Sequence, residues 1–315
     1  MTILKSNLLL LLAAAIWGFA FVAQRVGMEY VGPFTFNGVR FALGALSLLP
    51  LIFFYKKSSQ DTSNTCHDLK SILGAGLLAG LVLFLGATLQ QIGLVDTTAG
   101  KAAFITCLYI VIVPMLGIFL KQYISMSTWF GCVIAIVGLY LLCVKESFFI
   151  SYGEILELIG AFFWAVHILV IDRFSRKVDV LQLSFVQFIT CSVLSIVTAL
   201  FIETMSIETL RLAIVPILYG GICSVGIAYT LQVVGQKNAE PSHAAIILSM
   251  ETVFAALGGW IILNEKLGIQ ETLGCAIMLV GMLLSQLQNI RKDLACAKSS
   301  DAGRSLSRSY LESRK

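Results

Sequence analysis

Residues 89–105 read LQQIGLVDTTAGKAAFI, and 142 positions further on residues 231–247 read LQVVGQKNAEPSHAAII. Gln90 falls on Gln232, Gly93 on Gly235 and Lys101 on His243. Apolar helices resemble one another by composition, but Gln-x-x-Gly is not ordinary filler for a run in lipid, where each buried amide needs a partner. Neighbouring segments repeat in the same order. AAIWGFAF (14–21) lies over AFFWAVHI (161–168) at an offset of 147, with Trp17 on Trp164. VGPFTFNGVRF (31–41) lies over VDVLQLSFVQF (178–188), which sets Arg40 on Gln187. FGCVIAIVGLYLL (130–142) lies over LGCAIMLVGMLLS (273–285), matching Gly131-Cys132 with Gly274-Cys275 and Gly138 with Gly281. The chain therefore reads as two copies of one unit, residues 1–145 and 146–288, followed by a tail, 289–315.

The units consist of apolar runs. Apolar residues make up 58% of the 315 and charged ones 13%, with a mean hydropathy of +0.89, whereas a soluble domain carries roughly a quarter charged residues. Ten runs stand out, at 8–27, 34–54, 71–93, 99–120, 126–144, 153–172, 180–202, 211–234, 243–263 and 271–288. About 20 apolar residues cross a ~30 Å hydrocarbon layer as a helix. The runs lack the alternation of a barrel strand, and a lipid-exposed backbone must bond within its own segment. The expected fold is an all-α membrane protein of ten transmembrane helices. Five spans per unit is an odd number, so the second copy enters the membrane inverted, an architecture of secondary transporters. A soluble enzyme, a nucleic-acid binder and a secreted disulfide scaffold are excluded.

Orientation follows from the basic residues. With a cytoplasmic N-terminus, Lys5, Lys56, Lys57, Lys70, Lys121, Arg173, Arg176, Lys177, Lys237 and the basic tail face inward, against Arg25, Lys101, Lys145, Arg211 and Lys266 outside. This bias places both termini in the cytoplasm and the chain in the cytoplasmic (inner) membrane. The net charge of +4 gathers largely in the tail, NIRKDLACAKSSDAGRSLSRSYLESRK, which is expected to be disordered with weak attraction for lipid. Lys5 followed by LLLLLAAAIWGFAFVA, with Ala13 and Ala15 as an A-x-A pattern, has the look of a signal peptide, but the run continues to Ala23 and reads as a retained first span. Cys107, Cys132, Cys143, Cys191, Cys223 and Cys275 lie within apolar runs, Cys66 and Cys296 in polar segments, and none has CxxC spacing. They read as small hydrophobes; no metal and no cofactor is called for.

Ionisable and polar residues inside spans mark candidate sites, because each costs energy in lipid. Glu251, eight residues into span nine and therefore ~12 Å deep, is the best candidate for a carboxylate that binds a cation or proton, with a buried interhelical bond as the alternative. His243 and His167 suit a proton-linked switch or simple hydrogen bonding. Arg40 belongs either to a cavity or to a structural ion pair. Asn37, Gln90, Gln91, Tyr109, Gln187, Tyr229 and Gln232 are candidates to line a polar cavity or to bond between helices. Trp17 and Trp164 lie away from the interfacial belts and read as aromatic walls of a substrate pocket or as packing. Lys101 reads as an interfacial anchor. Pro114, inside FITCLYIVIVPMLGIFL, removes a backbone donor and serves as a hinge or a static kink. Gly76-x-x-x-Gly80 and the Gly-Cys-x5-Gly element are packing features.

The segments AIWGFAFVAQRVG, VRFALGA, KAAFITCLYIVIVPMLG, GCVIAIVGLYLL, GGWIILNEKL and LGCAIMLVGMLL together resemble the drug/metabolite transporter superfamily, specifically its ten-helix EamA-type members, over residues 8 to about 288. The resemblance rests on many weak motifs in fixed order. It implies an inner-membrane secondary carrier, often an exporter of amino acids, related metabolites or drugs, with a central cavity walled by helices one, three, four, six, eight and nine. The Gly/Glu pair that follows span nine in that family is present only in part: Glu265 is preceded by Asn264, and its first-half counterpart is Gln122.

The leading expectation is thus a carrier moving a small-molecule substrate by alternating access, in contact with the lipid bilayer and with no nucleic-acid partner, protons being the candidate coupling ion. It is expected not to be an enzyme, and the absence of GxxxxGK[ST] fits a secondary mechanism. The alternative is a membrane-embedded hydrolase or transferase using His167, His243 or Glu251, which lacks a GxSxG or HExxH motif. A channel is the third reading, separated by whether flux saturates. Substrate identity and oligomeric state are not legible from the residues.

Overall fold

A backbone in lipid can bond only to itself, and the computed structural model resolves the apolar runs as helices accordingly. It describes residues 3–58, 69–97, 99–121, 124–143, 151–263, 268–270, 272–274, 276–281 and 284. The chain is all-helical, with no strand among the described residues. Spans one to three are the helices α1 (Ile3–Gly27), α2 (Pro33–Ser58) and α3 (Leu69–Asp96). Span four is α4 (Ala99–Thr106) plus α5 (Tyr109–Phe119), and span five is α6 (Met126–Cys143). Spans six and seven are α7 (Tyr152–Ser175) and α8 (Val180–Ile202), and the short α9 (Ile207–Leu212) follows. Span eight runs through α10 (Ile214–Leu218), a π-helical segment (Tyr219–Tyr229) and α11 (Thr230–Gln236). Span nine is α12 (Pro241–Leu248) plus α13 (Glu251–Leu263). Eight helices are long and apolar enough to cross a membrane, and shorter apolar helices, Met126–Leu141 and Thr272–Gly281, occupy spans five and ten.

Helix starts are set by local chemistry. Ser151 and Glu154 close a capping box on α7, and the Asp179 carboxylate accepts from Gln182 N at 2.9 Å to start α8. The N-terminus of α2 is capped from a distance: Glu203, just past α8, accepts from Phe34 N (2.9 Å), Thr35 N (2.8 Å) and Thr35 Oγ1 (2.7 Å). This ties the start of span two to the end of span seven. Glu203→Ala leaves those amides uncapped and is expected to lower stability by about 1 kcal/mol, read as an earlier thermal unfolding in detergent, while Glu203→Gln loses less.

Packing is inside-out relative to a soluble core. Ala13, Ala14, Ala79, Ala87, Ala161 and Ala165 are buried, whereas Phe53, Phe119, Phe201 and Ile262 are exposed on the outer face. Small residues let helices approach closely, and large ones meet lipid. The Gln-x-x-Gly repeat has this meaning in space: a Cβ on Gly93 would press on Gly153 O at the start of α7, and one on Gly235 would press on Ser6 O at the start of α1. Ser6 and Gly153 are themselves 147 positions apart. Gly76 and Gly80 lie on Val186 and Thr190 of α8, and Gly138 lies on the backbone at Met278.

The helix neighbours obey the same exchange. Span one packs on eight and nine, as span six packs on three and four; span two packs on eight, as seven packs on three; and two meets seven. The two interrupted spans share a register. Span four breaks at Cys107 and Leu108, span nine at Ser249 and Met250, 142 positions on. Both breaks are tightened by i to i+3 bonds, Ile110 N to Cys107 O (3.0 Å) in one and Thr252 N to Ser249 O (3.1 Å) in the other. Pro114 lies inside α5, past the break, and Ile110 O, four residues before it, accepts from Cys132 Sγ at 3.3 Å.

Candidate functional site

On α1, Trp17, Phe21 and Gln24 recur at i, i+4 and i+7 and so share one helical face. On α7, Trp164 and Ile168 repeat the first two of these positions. Both faces line a cavity, with about 470 Å³ of empty space counting its open part, which α2, α3 and spans four, eight and nine complete.

One wall is aromatic. Tyr229, at the end of the π segment, packs edge-on to Trp17 (centroids 4.7 Å apart) and stacks on Trp164 (6.1 Å, 22°). Phe41 and Phe188 back it at 6.0 and 5.9 Å. The π segment bonds to α1: Trp17 Nε1 donates to Ser224 O at 3.2 Å, and Tyr219 OH to Ile16 O at 3.0 Å. Trp164 Nε1 and Gln232 Oε1 line the same space with no hydrogen-bond partner among the described residues.

Arg40 and Glu251 face the cavity from different helices. Arg40, 2% exposed, donates from Nε to Asn37 Oδ1 (2.9 Å) and from Nη1 to Gln24 Oε1 (2.8 Å), and its guanidinium lies over Phe36 and Phe41 at 5.5 and 5.0 Å. Asn37 in turn donates to Ala87 O of α3 at 3.1 Å. Glu251 begins α13 at the break of span nine. Its Oε1 accepts from Tyr109 OH at 3.0 Å and lies 3.5 Å from Cys107 Sγ, both at the break of span four. Cys107 Sγ also meets Thr252 Oγ1 at 2.7 Å. The two interruptions therefore touch at the cavity, bridged by a carboxylate.

The expected site residues divide accordingly. Trp17, Arg40, Gln90, Tyr109, Trp164, Tyr229, Gln232 and Glu251 line the cavity. Asn37 stands behind Arg40. His167 and Gln187 lie one layer out, joined Nε2 to Oε1 at 3.0 Å, with the His167 ring edge-on to Trp164 and Tyr229. Gln91 is buried in α3 and His243 in the first turn of α12. The Lys101 side chain, Gln122, Asn264, Glu265 and the tail are outside the described residues. Phe21, Gln24, Thr106, Ile168, Ser224 and Leu248 join the lining unannounced. The i+4 and i+7 spacing from Trp17 was the available signal for Phe21 and Gln24; Ser224 contributes a carbonyl, which no side-chain reading finds. Glu157 on α7 is a second buried carboxylate, accepting from Thr106 Oγ1 at 3.0 Å.

The model of the EamA-like transporter family matches residues 4–144 and again 151–287. The chain belongs to the EamA-like transporter family. It is 32% identical over 286 residues to an uncharacterized transporter of Archaeoglobus fulgidus, covering 90% of this chain and 87% of that one. It is 25% identical over 276 residues to the uncharacterized transporter YoaV of Bacillus subtilis, covering 86% and 92%. A solved crystal structure shares the fold with a TM-score of 0.74 at 16% identity, over 91% of this chain and 98% of the other. This EamA-like protein is an integral membrane transporter.

Proposed function

We propose that this EamA-like transporter is a secondary carrier that moves a small amphipathic metabolite, an amino acid, a related metabolite or a drug, outward across the cytoplasmic membrane by alternating access. In this reading residues 1–145 and 146–288 are inverted halves, both termini are cytoplasmic, and export is the direction the family resemblance implies. The observation that carries it is the meeting of two helix breaks in one register, 107–108 and 249–250, at the wall of an aromatic and polar cavity. Discontinuous helices at the repeat interface are where carriers of this architecture bind substrate, and exchanging the conformations of the halves opens the site to the other side. Glu251 is the group that takes up and releases a proton, because it is a carboxylate that joins the two breaks and also faces the cavity. His167 commits a ring nitrogen to Gln187 outside the cavity, which favours a carrier over a membrane-embedded hydrolase or transferase.

The test is a thermal-shift panel on the purified protein with amino acids, nucleobases, sugars and cationic drugs, followed by flux of each stabilising compound from proteoliposomes under an imposed pH gradient. A ligand of the folded state raises its apparent stability by mass action. Gradient-driven flux without ATP, collapsed by a protonophore, is the expected result. Flux that requires ATP, or conversion of the compound to a product, contradicts the proposal.

A further inference from the structure

Arg40 is a buried cation, and the described residues give it no ion pair. It stands seven residues past the start of α2, about 10 Å along the helix at 1.5 Å per residue. Its stem passes Gly220 of the π segment, where a Cβ would stand in ordinary contact with Arg40 Cδ at 3.4 Å. Among the described residues, neutral groups hold the guanidinium: the Asn37 and Gln24 carbonyls and the faces of Phe36 and Phe41. A charge inside the membrane persists where a counter-charge meets it, and leaving it unpaired is expensive. Glu251 lines the same cavity, yet its recorded bonds go to Tyr109 and Cys107.

A guanidinium has five N–H donors. Nε uses its one and Nη1 uses one, so three remain, on Nη1 and Nη2, the edge that accepts a carboxylate through two parallel bonds. A single cation matches a single negative charge; a phosphate dianion would leave one charge uncompensated, in a cavity that already holds a carboxylate. Trp17, Trp164 and Tyr229 line the same cavity as Arg40 and suit a flat apolar body.

We infer that Arg40 is the anion-docking residue of the cavity and that the transported class is small monocarboxylates with a flat apolar body, in which the carboxylate is the required group and an amino group is dispensable. This rests on the carrier reading for its use in transport, but binding tests it separately. Four probes share one ring: 3-phenylpropionate, phenylalanine, 3-phenylpropanamide and phenethylamine. Titrated calorimetrically into the full-length protein in detergent, the two carboxylates are expected to bind at least about tenfold more tightly than the amide or the amine, since a site built around a charged contact rejects analogues lacking it. Arg40→Gln, which places in the first half the residue of the second, is expected to erase the difference, and Arg40→Lys to keep part of it. Thermal unfolding of each variant checks its fold, and the wild-type comparison stands without them. Amide or amine binding as tight as the carboxylates, binding by none of the four, or a folded Arg40→Gln that keeps the preference overturns the inference. Carboxylate-selective binding with no flux from proteoliposomes would instead remove the carrier reading and leave the docking assignment.

Discussion

Glu251→Gln is expected to yield a folded transporter whose flux no longer responds to a pH gradient. The amide is nearly isosteric with the carboxyl and retains an oxygen to accept from Tyr109 OH, a bond of 3.0 Å that joins α13 to α5, so the meeting of the two breaks survives. What is lost is the exchangeable proton. The titratable and charged groups around Glu251 are Cys107 and Tyr109 of span four, with Arg40 and Tyr229 across the cavity, while α1 offers Trp17, Phe21 and Gln24. Initial rates in proteoliposomes over a range of pH check this: gradient-driven flux is expected to vanish and downhill flux to become pH-independent. A pH dependence unchanged from the wild type removes Glu251 from coupling. Glu157, whose Oε2 accepts from Thr106 on the other flank of the same break, would then be the next buried carboxylate to replace.

Gly18→Val is expected to destroy the site through packing alone. Gly18 is where α1 rests on the backbone of α13: a Cβ there would meet Glu251 O at 2.6 Å, Ala255 N at 2.7 Å and Phe254 Cβ closer still. None of these is the free end of a flexible side chain, so the helices must part. Overpacking a close contact typically costs 1–3 kcal/mol, and a branched side chain against backbone lies at or beyond the upper end. Because Trp17 and Phe21 flank this position, separating α1 from α13 also moves two cavity walls and the carboxylate. The variant is expected to unfold earlier in detergent and to lose ligand-induced stabilisation, with Gly18→Ala intermediate. Full stability and full ligand response in Gly18→Val would mean that α1 and α13 do not pack this closely.

The positions of the helices were legible because lipid leaves a chain few options. Runs of apolar residues gave the long spans and the two short ones, and the match of 89–105 with 231–247 reported the register that the breaks later share. The breaks themselves were not legible. Cys107-Leu108 and Ser249-Met250 carry no helix-breaking residue, and their geometry is held by bonds between spans, Cys107 to Thr252 and Tyr109 to Glu251. Pro114, the visible breaker, lies inside α5. The π segment was equally hidden, since YGGICSVGIAY has only its glycines to suggest a close approach to α2. Within the site, side chains of unusual polarity or size, such as Trp17, Arg40, Gln232 and Glu251, announced themselves. His167 and Gln187 announced themselves equally and lie a layer out, joined by one bond to each other, because polarity in a span signals a need for partners and not a cavity.

A cavity offered alternately to the two sides of the membrane, as proposed, supports counterflow. Proteoliposomes loaded with an unlabelled ligand that stabilises the protein are diluted into a trace of the same compound in labelled form, with no ion gradient and no ATP. Transient accumulation of label above its outside concentration is expected, saturable in the outside compound and absent from liposomes loaded with buffer alone. Label that merely equilibrates, at a rate linear in concentration and indifferent to what lies inside, would identify an open pore and contradict alternating access.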